Sequence, residues 1–332
     1  MNNKFQKGAQ NAVKCLNIQK SDRVIIISDR EREHIARSIR REIEEIGCEI
    51  LWLIIEDEVG ERPAKNFPDS MKQKIVDFKP NVSYYIATGK KGELINFRWP
   101  LKKILVLDLK CRHGHMISID DTIMMQGMSA DYDEIYEMTM KVYEKVKDAK
   151  EIRVEGYETE VTATFDDRFK WAPFSGRIFK QGQWSNLPEG EVFTCPKNVN
   201  GTVTAYIIGD YFSQKYGILK DPLVVKIENS RVRGVNCNDK KLEKEFKEYI
   251  KSEENGDRVG EFAIGTLVSL KGFIGNLLQD EKFPGIHIAI GGTFPEHTDA
   301  DWDCDNHVDI IPKECSIWVD GEQIMKKGKF LI

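Results

Sequence analysis

The sequence is short of several features that announce particular kinds of protein. It holds no CxxC pair, and its seven cysteines, Cys15 to Cys315, are odd in number and widely spaced. That pattern argues against a disulfide framework and against a structural zinc knuckle, and it points to the reducing cytoplasm. The longest apolar run, Ile50 to Ile55, falls far below the ~20 residues of a membrane span. The opening stretch MNNKFQKGAQ lacks the apolar core of a secretory signal. Neither the dinucleotide-binding glycine fingerprint nor the phosphate-loop pattern occurs. The segment TGKKGE (88–93) is glycine-rich and basic but out of register for phosphate, and it reads as a surface turn.

An excess of positive charge is missing too. The formal net charge is -5, so no broad field draws in nucleic acid or an anionic membrane. The basic run Arg37 to Arg41 is interrupted by Ser38 and Ile39 and followed by Glu42, Glu44 and Glu45, which reads as a solvated helix face. What remains is an ordinary globular composition, 41% hydrophobic and 31% charged, with length enough for two domains.

The first half alternates strands and helices. Runs rich in β-branched or apolar residues at 23–28, 49–55, 82–87 and 103–107 read as buried strands. Between the first two, Ile35, Ile39, Ile43 and Ile46 form one helical stripe, stopped by Gly47. A helix over 70–78 ends before Pro80, and another over 131–147 has Ser129 as a possible cap. From about residue 151 glycine and turn signals multiply, and short strands fit 161–165, 202–208, 223–227 and 231–235, with a helix at 241–251. The predicted fold is α/β: an open parallel α/β domain over 1–150, then an α+β domain over 151–332 with largely antiparallel sheet.

Five residues of the second half carry chemistry. His307 and Asp309 sit two apart in the strand-like NHVDII, so both side chains leave the same face. Imidazole plus carboxylate suits zinc, cobalt, manganese or iron, though such a pair is also common in solvent or in a core. His287 lies within the apolar run GIHIAIGG and needs a partner if buried. Glu191 in NLPEGEVF and Glu261 in RVGEFAIG each follow a glycine into an apolar strand, where a carboxylate is either an exposed strand end or a functional group. His297, in PEHTDAD, reads as a solvent residue. His113 and His115 in CRHGHM read as a polar loop between domains, with metal binding or substrate contact, aided by Arg112, as the other reading. Trp171 and Trp184 read as packing rather than pocket lining.

The stretch NLPEGEVFTCP resembles the signature of the thermophilic aminopeptidases, the aminopeptidase T and aminopeptidase S group of metallopeptidases. RVGEFAIG, GIHIAIG and HVDI are similar to later segments of that family in the same order, and GMSADYDEI (127–135) is similar in pattern. The resemblance implies two divalent ions, zinc, cobalt or manganese, held by Glu191, Glu261, His287, His307 and Asp309. It further implies Glu191 and Glu261 as catalytic carboxylates, a homodimer, and removal of N-terminal residues from peptides. This chain departs from the family in having Phe294 where a tyrosine stands. Its His287–His307 loop is also short. The 2,5-dihydroxypyridine dioxygenases resemble the same architecture but hold one iron(II) on two His and one Asp. A metallo-aminopeptidase is therefore the leading expectation, with a mononuclear iron enzyme or a non-catalytic peptide-binding relative behind it.

Overall fold

A computed structural model describes residues 3–209 and 211–332. The chain forms two compact units, Met1–Tyr132 with Gly176–Glu189, and Asp133–Ser175 with Gly190–Ile332. The helix Tyr132–Val146 contributes Val142 and Val146 to the core of the second unit.

The first unit is built on parallel strands in the spatial order Glu49–Ile54, Arg23–Ser28, Val82–Ala87, Arg112–Ile117 and Trp184–Asn186. The helix Glu33–Ile46 buries Ile35, Ile39 and Ile43, and Gly47 closes it at φ 87° by donating to Ile43 and Glu44 carbonyls. The fourth parallel strand is not 103–107. That apolar run forms a π-helical turn, Lys103–Asp108, in which Leu109 N–H donates to Ile104 O at 2.9 Å. A short apolar run looks alike as strand or buried helix, and here the helix wins. The strand is Arg112–Ile117, which overturns the reading of His113 and His115 as loop residues. His113 is 1% exposed and bonds Ser83 Oγ at 2.9 Å, and the His115 ring stacks on Tyr85 at 5.0 Å. Burial drives His113 down to about 3 and His115 well below its ordinary value, so both are neutral. Arg112 is tied to Asp22 at 2.6 Å. The 88–93 turn is also anchored rather than superficial: Arg62 binds Thr88 O at 2.7 Å, Glu93 Oε1 at 2.9 Å and Asp29 Oδ2 at 2.6 Å. Ser129 does not cap the following helix; its hydroxyl donates back to Met125 O at 2.8 Å.

The second unit pairs an eight-stranded antiparallel sheet with a six-stranded one. Val154, Val161, Val203 and Val225 of the first meet Val192, Phe262, Ile264, Ile286, Ile288, Ile290, Val308 and Ile310 of the second in one core. Each such side chain contributes about 1.5–3 kcal/mol by leaving water. The helix Lys240–Tyr249, capped by Asp239, closes this core with Leu242 and Phe246. Trp171 packs on Phe165 at 4.9 Å, whereas the Trp184 ring of the first unit receives Lys102. Among the described residues, no helix is long and apolar enough to cross a membrane.

Candidate metal centre

The six-stranded sheet has a second face, and the register decides what lies on it. Four neighbouring strands, Glu191–Thr194, Val259–Gly265, Gly285–Gly291 and His307–Ile311, run antiparallel side by side. Glu191 lies opposite Gly265, Ala263 opposite His287, Glu261 opposite Ala289, Ala289 opposite Asp309, and Gly291 opposite His307. Partners across a ladder share a face, as do residues two apart in one strand. All five candidate residues therefore emerge from one side, spaced by Ala263, Gly265, Ala289 and Gly291, whose small size leaves room. The intervening Phe262, Ile264, Ile288 and Ile290 point into the core.

One irregularity makes this possible. Between Val259 and Glu261 the ladder shifts register at a β-bulge. Val259 pairs with Ile290 and joins the core, while Glu261 pairs with Ala289 and joins the polar face. In an unbroken strand, residues two apart would share a face; the extra residue, Gly260, re-aims the carboxylate. A Cβ at Gly260 would collide with the carbonyl oxygen of Gly291.

The five side chains converge. His287 Nε2 lies 3.2 Å from Glu261 Oε1, 3.4 Å from Glu191 Oε2 and 4.0 Å from Asp309 Oδ1. His307 Nε2 lies 3.7 Å from Glu261 Oε2 and 3.6 Å from Asp309 Oδ1. Glu191, Glu261 and Asp309 are buried rather than exposed strand ends. Only His307, at 27% side-chain exposure, opens toward solvent. His307 Nδ1 faces the Gly292 carbonyl at 3.3 Å; a carbonyl only accepts, so Nδ1 carries a proton, and Nε2 is the nitrogen turned toward Glu261 and Asp309.

Two residues of the cluster escaped the sequence reading. Lys282, 2% exposed, donates to Glu191 Oε1 at 2.7 Å and lies 3.0 Å from Glu281 Oε1. In the sequence they are an ordinary charge pair in QDEKFPG, with no sign of burial. His297, expected in solvent, instead sets its ring against Phe174 at 5.0 Å and Phe193 at 6.2 Å. Phe294 stands at φ 49°, a strained position for a bulky residue, with its ring 4.8 Å from that of His307.

The electrostatics call for cations. Burial alone would push His287 down, but the hydrogen bond to Glu261 and the charges of Glu191 and Asp309 raise it to about 9. Burial likewise opposes a charge on His307, and Asp309 and Glu261 lift it to about 10. Burial would raise Asp309, yet His307 and His287 hold it below the usual carboxylate range. Burial lifts Glu281 to about 8 despite Lys282. Glu191 Oε2 and Asp309 Oδ1 are buried without a hydrogen-bond partner. Glu191, Glu261 and His287 offer ligand atoms within 4.8 Å of one another, a spacing that metal–ligand bonds of about 2.0–2.2 Å can span with small adjustment. The donor set therefore fits a divalent ion, which would displace protons from the imidazoles.

An imidazole whose folded pKa is raised adds stability that is complete below about pH 6.5, its unfolded value. That contribution is lost as pH climbs through about 9 for His287 and 10 for His307. In chelator-treated protein the melting-temperature gap between wild type and His307→Gln should narrow from pH 6.5 to 10; a constant gap would contradict the cluster's electrostatics. Gly260→Ala should push Glu261 off the face, and divalent-ion affinity measured by calorimetry should fall at least roughly tenfold, the scale seen when a ligand's support is lost.

The sequence pattern of the thermophilic metalloprotease (M29) family matches residues 123–308, more than half of the chain. That stretch includes Glu191, Glu261, His287 and His307, and ends one residue before Asp309. Comparison with curated protein sequences returns no match. Among solved structures, wild-type AmpT from Thermus thermophilus superposes with a TM-score of 0.72 at 14% identity, covering 99% of each chain. The 2,5-dihydroxypyridine dioxygenase of Pseudomonas putida superposes with a TM-score of 0.68 at 12% identity, covering 98% of this chain and 96% of that one. These two likenesses establish the fold over nearly the full length. The family match goes further: the chain belongs to the thermophilic metalloprotease (M29) family and is a metal-dependent peptide hydrolase.

Proposed function

We propose that the chain is an aminopeptidase that removes N-terminal residues from peptides, using two divalent ions held by Glu191, Glu261, His287, His307 and Asp309. The observation that carries this reading is the position of Glu261. Its two oxygens face different imidazoles, Oε1 toward His287 and Oε2 toward His307. A carboxylate so placed could be shared between two ions. Glu191 and His287 would complete one ion's shell, and His307 and Asp309 the other's. Zinc, cobalt and manganese all accept this mixture of imidazole and carboxylate.

Bound in pairs, such ions acidify a water and polarise the scissile carbonyl. The chain's own groups do the rest. Glu191 keeps one oxygen, Oε2, free of hydrogen bonds. Glu191 would serve as a ligand and as the carboxylate that accepts a proton from the attacking water, with Glu261 as the ligand the two ions would share. Buried walls exclude bulk water and strengthen each charge interaction inside. Phe174, Phe193 and Phe294 form an apolar wall beside His307, which favours an apolar first side chain on the peptide. No phenol stands at Phe294 to donate to a developing oxyanion, so more of that stabilisation would have to come from bound ions.

A one-iron oxygenase needs only His287, His307 and Asp309. It gives no role to Glu191 and Glu261, both buried in the same cluster, and so fits less of the site. Seven unpaired cysteines suit a reducing cytoplasm. A homodimer is carried by the family resemblance alone.

The test is release of free amino acid from unblocked and N-acetylated peptides by protein loaded with zinc, cobalt or manganese. Unblocked peptides with leucine or phenylalanine first should be cleaved faster than those with glutamate first, and N-acetylated ones not at all. Glu191→Ala should reduce turnover to background while retaining the fold by circular dichroism. Cleavage of blocked peptides at internal bonds, or full activity of Glu191→Ala, would refute the assignment. One iron per chain with oxygen uptake on a hydroxypyridine would favour the oxygenase.

A further inference from the structure

Lys282 is an odd neighbour for a site that gathers cations. Its side chain is 2% exposed, and its ammonium touches Glu191 Oε1 at 2.7 Å and Glu281 Oε1 at 3.0 Å. Burying an ammonium is costly unless it is paired, and the Glu191 carboxylate meets that need with Glu281 as a second oxygen neighbour. The pairing has a consequence for Glu191. One oxygen is committed to Lys282, and only Oε2 remains for an ion.

The backbone delivers the lysine with care. It follows the helical turn Leu277–Asp280, and Lys282 N–H donates to Gln279 O at 3.0 Å. The buried Asp280 fastens the preceding loop by accepting N–H bonds from Ile274 at 2.9 Å, Gly275 at 2.7 Å and Asn276 at 3.2 Å. The Lys282 carbonyl accepts from Leu267 N–H at 3.0 Å. Gly265, the residue opposite Glu191, makes the approach possible: a Cβ there would collide with the Phe283 carbonyl and sit 2.8 Å from the Lys282 carbonyl carbon. The lysine is thus fixed on rigid supports and is not a surface side chain folded inward.

We propose that Lys282 is a positioning residue that restricts Glu191 to one-oxygen ligation and weakens the ion position shared by Glu191 and His287, making the two ion positions unequal. The inference rests on the two-ion reading above. A fixed positive charge in contact with one ligand repels the ion on that ligand most. At the position formed by His307 and Asp309 the Lys282 charge reaches Asp309 through space rather than through an ion pair at 2.7 Å, so an ion there would be held more tightly. Removing the charge favours a divalent ion twice as strongly as it favours a competing proton on an imidazole, so the net effect is tighter metal binding.

The experiment is calorimetric titration of the metal-stripped full chain with zinc, and separately with manganese, for wild type, Lys282→Met, Lys282→Gln and Lys282→Arg. Wild type should bind two ions in separable steps. Lys282→Met and Lys282→Gln should tighten the weaker step by roughly 10- to 100-fold, as expected for losing a unit charge a few ångströms away. The tighter step should change much less, and Lys282→Arg should resemble wild type. Glutamine keeps a donor for Glu191 without the charge, so it also carries the test if the methionine variant does not fold. A weaker step that is unchanged or further weakened in both neutral variants would overturn the proposal while leaving the two-ion reading intact. Wild type that binds one ion, or none, would overturn both.

Discussion

Glu191, Glu261 and Asp309 are packed into a space largely closed to water, where like charges repel with little screening. Such a trio stays together only if positive charge is placed among it. The chain supplies some of its own: Lys282 against Glu191, and two imidazoles that stay protonated well above their ordinary range. The remaining unpartnered oxygens, on Glu191 and Asp309, mark where the balance is incomplete. Divalent ions would complete it, and their positive charge, held in place by these carboxylates, is what would acidify a bound water. Stability and chemistry thus draw on one electrostatic arrangement.

That arrangement is affordable because it stands on the back of a strong core. The site strands turn phenylalanine, isoleucine and valine toward the opposing antiparallel sheet and their functional groups the other way. Burial on one face fixes the register, since a one-residue slip would exchange the faces. Glycine and alanine appear where side chains would crowd the polar cluster or block an approach. Gly260 lets the strand change face, Gly265 admits the Lys282 turn, and Ala289 separates Glu261 from Asp309. Small residues and bulky ones therefore serve the site equally, from opposite sides of one sheet.

Much of this was legible from residues alone. Alternating strands and helices announced the parallel sheet, and an antiparallel second half followed from its turn-rich composition. His287, His307 and Asp309 stood out as polar residues in strand-like runs and Glu191 and Glu261 as carboxylates entering apolar strands after a glycine, and the resemblance to the thermophilic aminopeptidases joined the five into one candidate site. What stayed hidden had physical reasons. The run 103–107 is apolar enough for either a strand or a buried helical turn, and periodicity does not choose between them. His113 and His115 looked like loop residues because Arg112, two histidines and Gly114 make a polar, glycine-broken run; pairing with Val82–Ala87 on one side and Trp184–Asn186 on the other is what buries it. Lys282 and Glu281 carried no signal, because nothing local reveals that a glycine on another strand lets their turn descend onto the cluster. The face change at Gly260 depends on pairing with a strand some thirty residues away.

The most direct measurement is anomalous X-ray diffraction from crystals grown with zinc or manganese, collected on both sides of the metal absorption edge. The account requires two anomalous peaks, each within about 2.0–2.2 Å of its ligand atoms, with Glu261 touching both, Glu191 and His287 on one, and His307 and Asp309 on the other. A single peak bound by His287, His307 and Asp309 alone, or metal elsewhere on the chain with these five side chains bare, would contradict it.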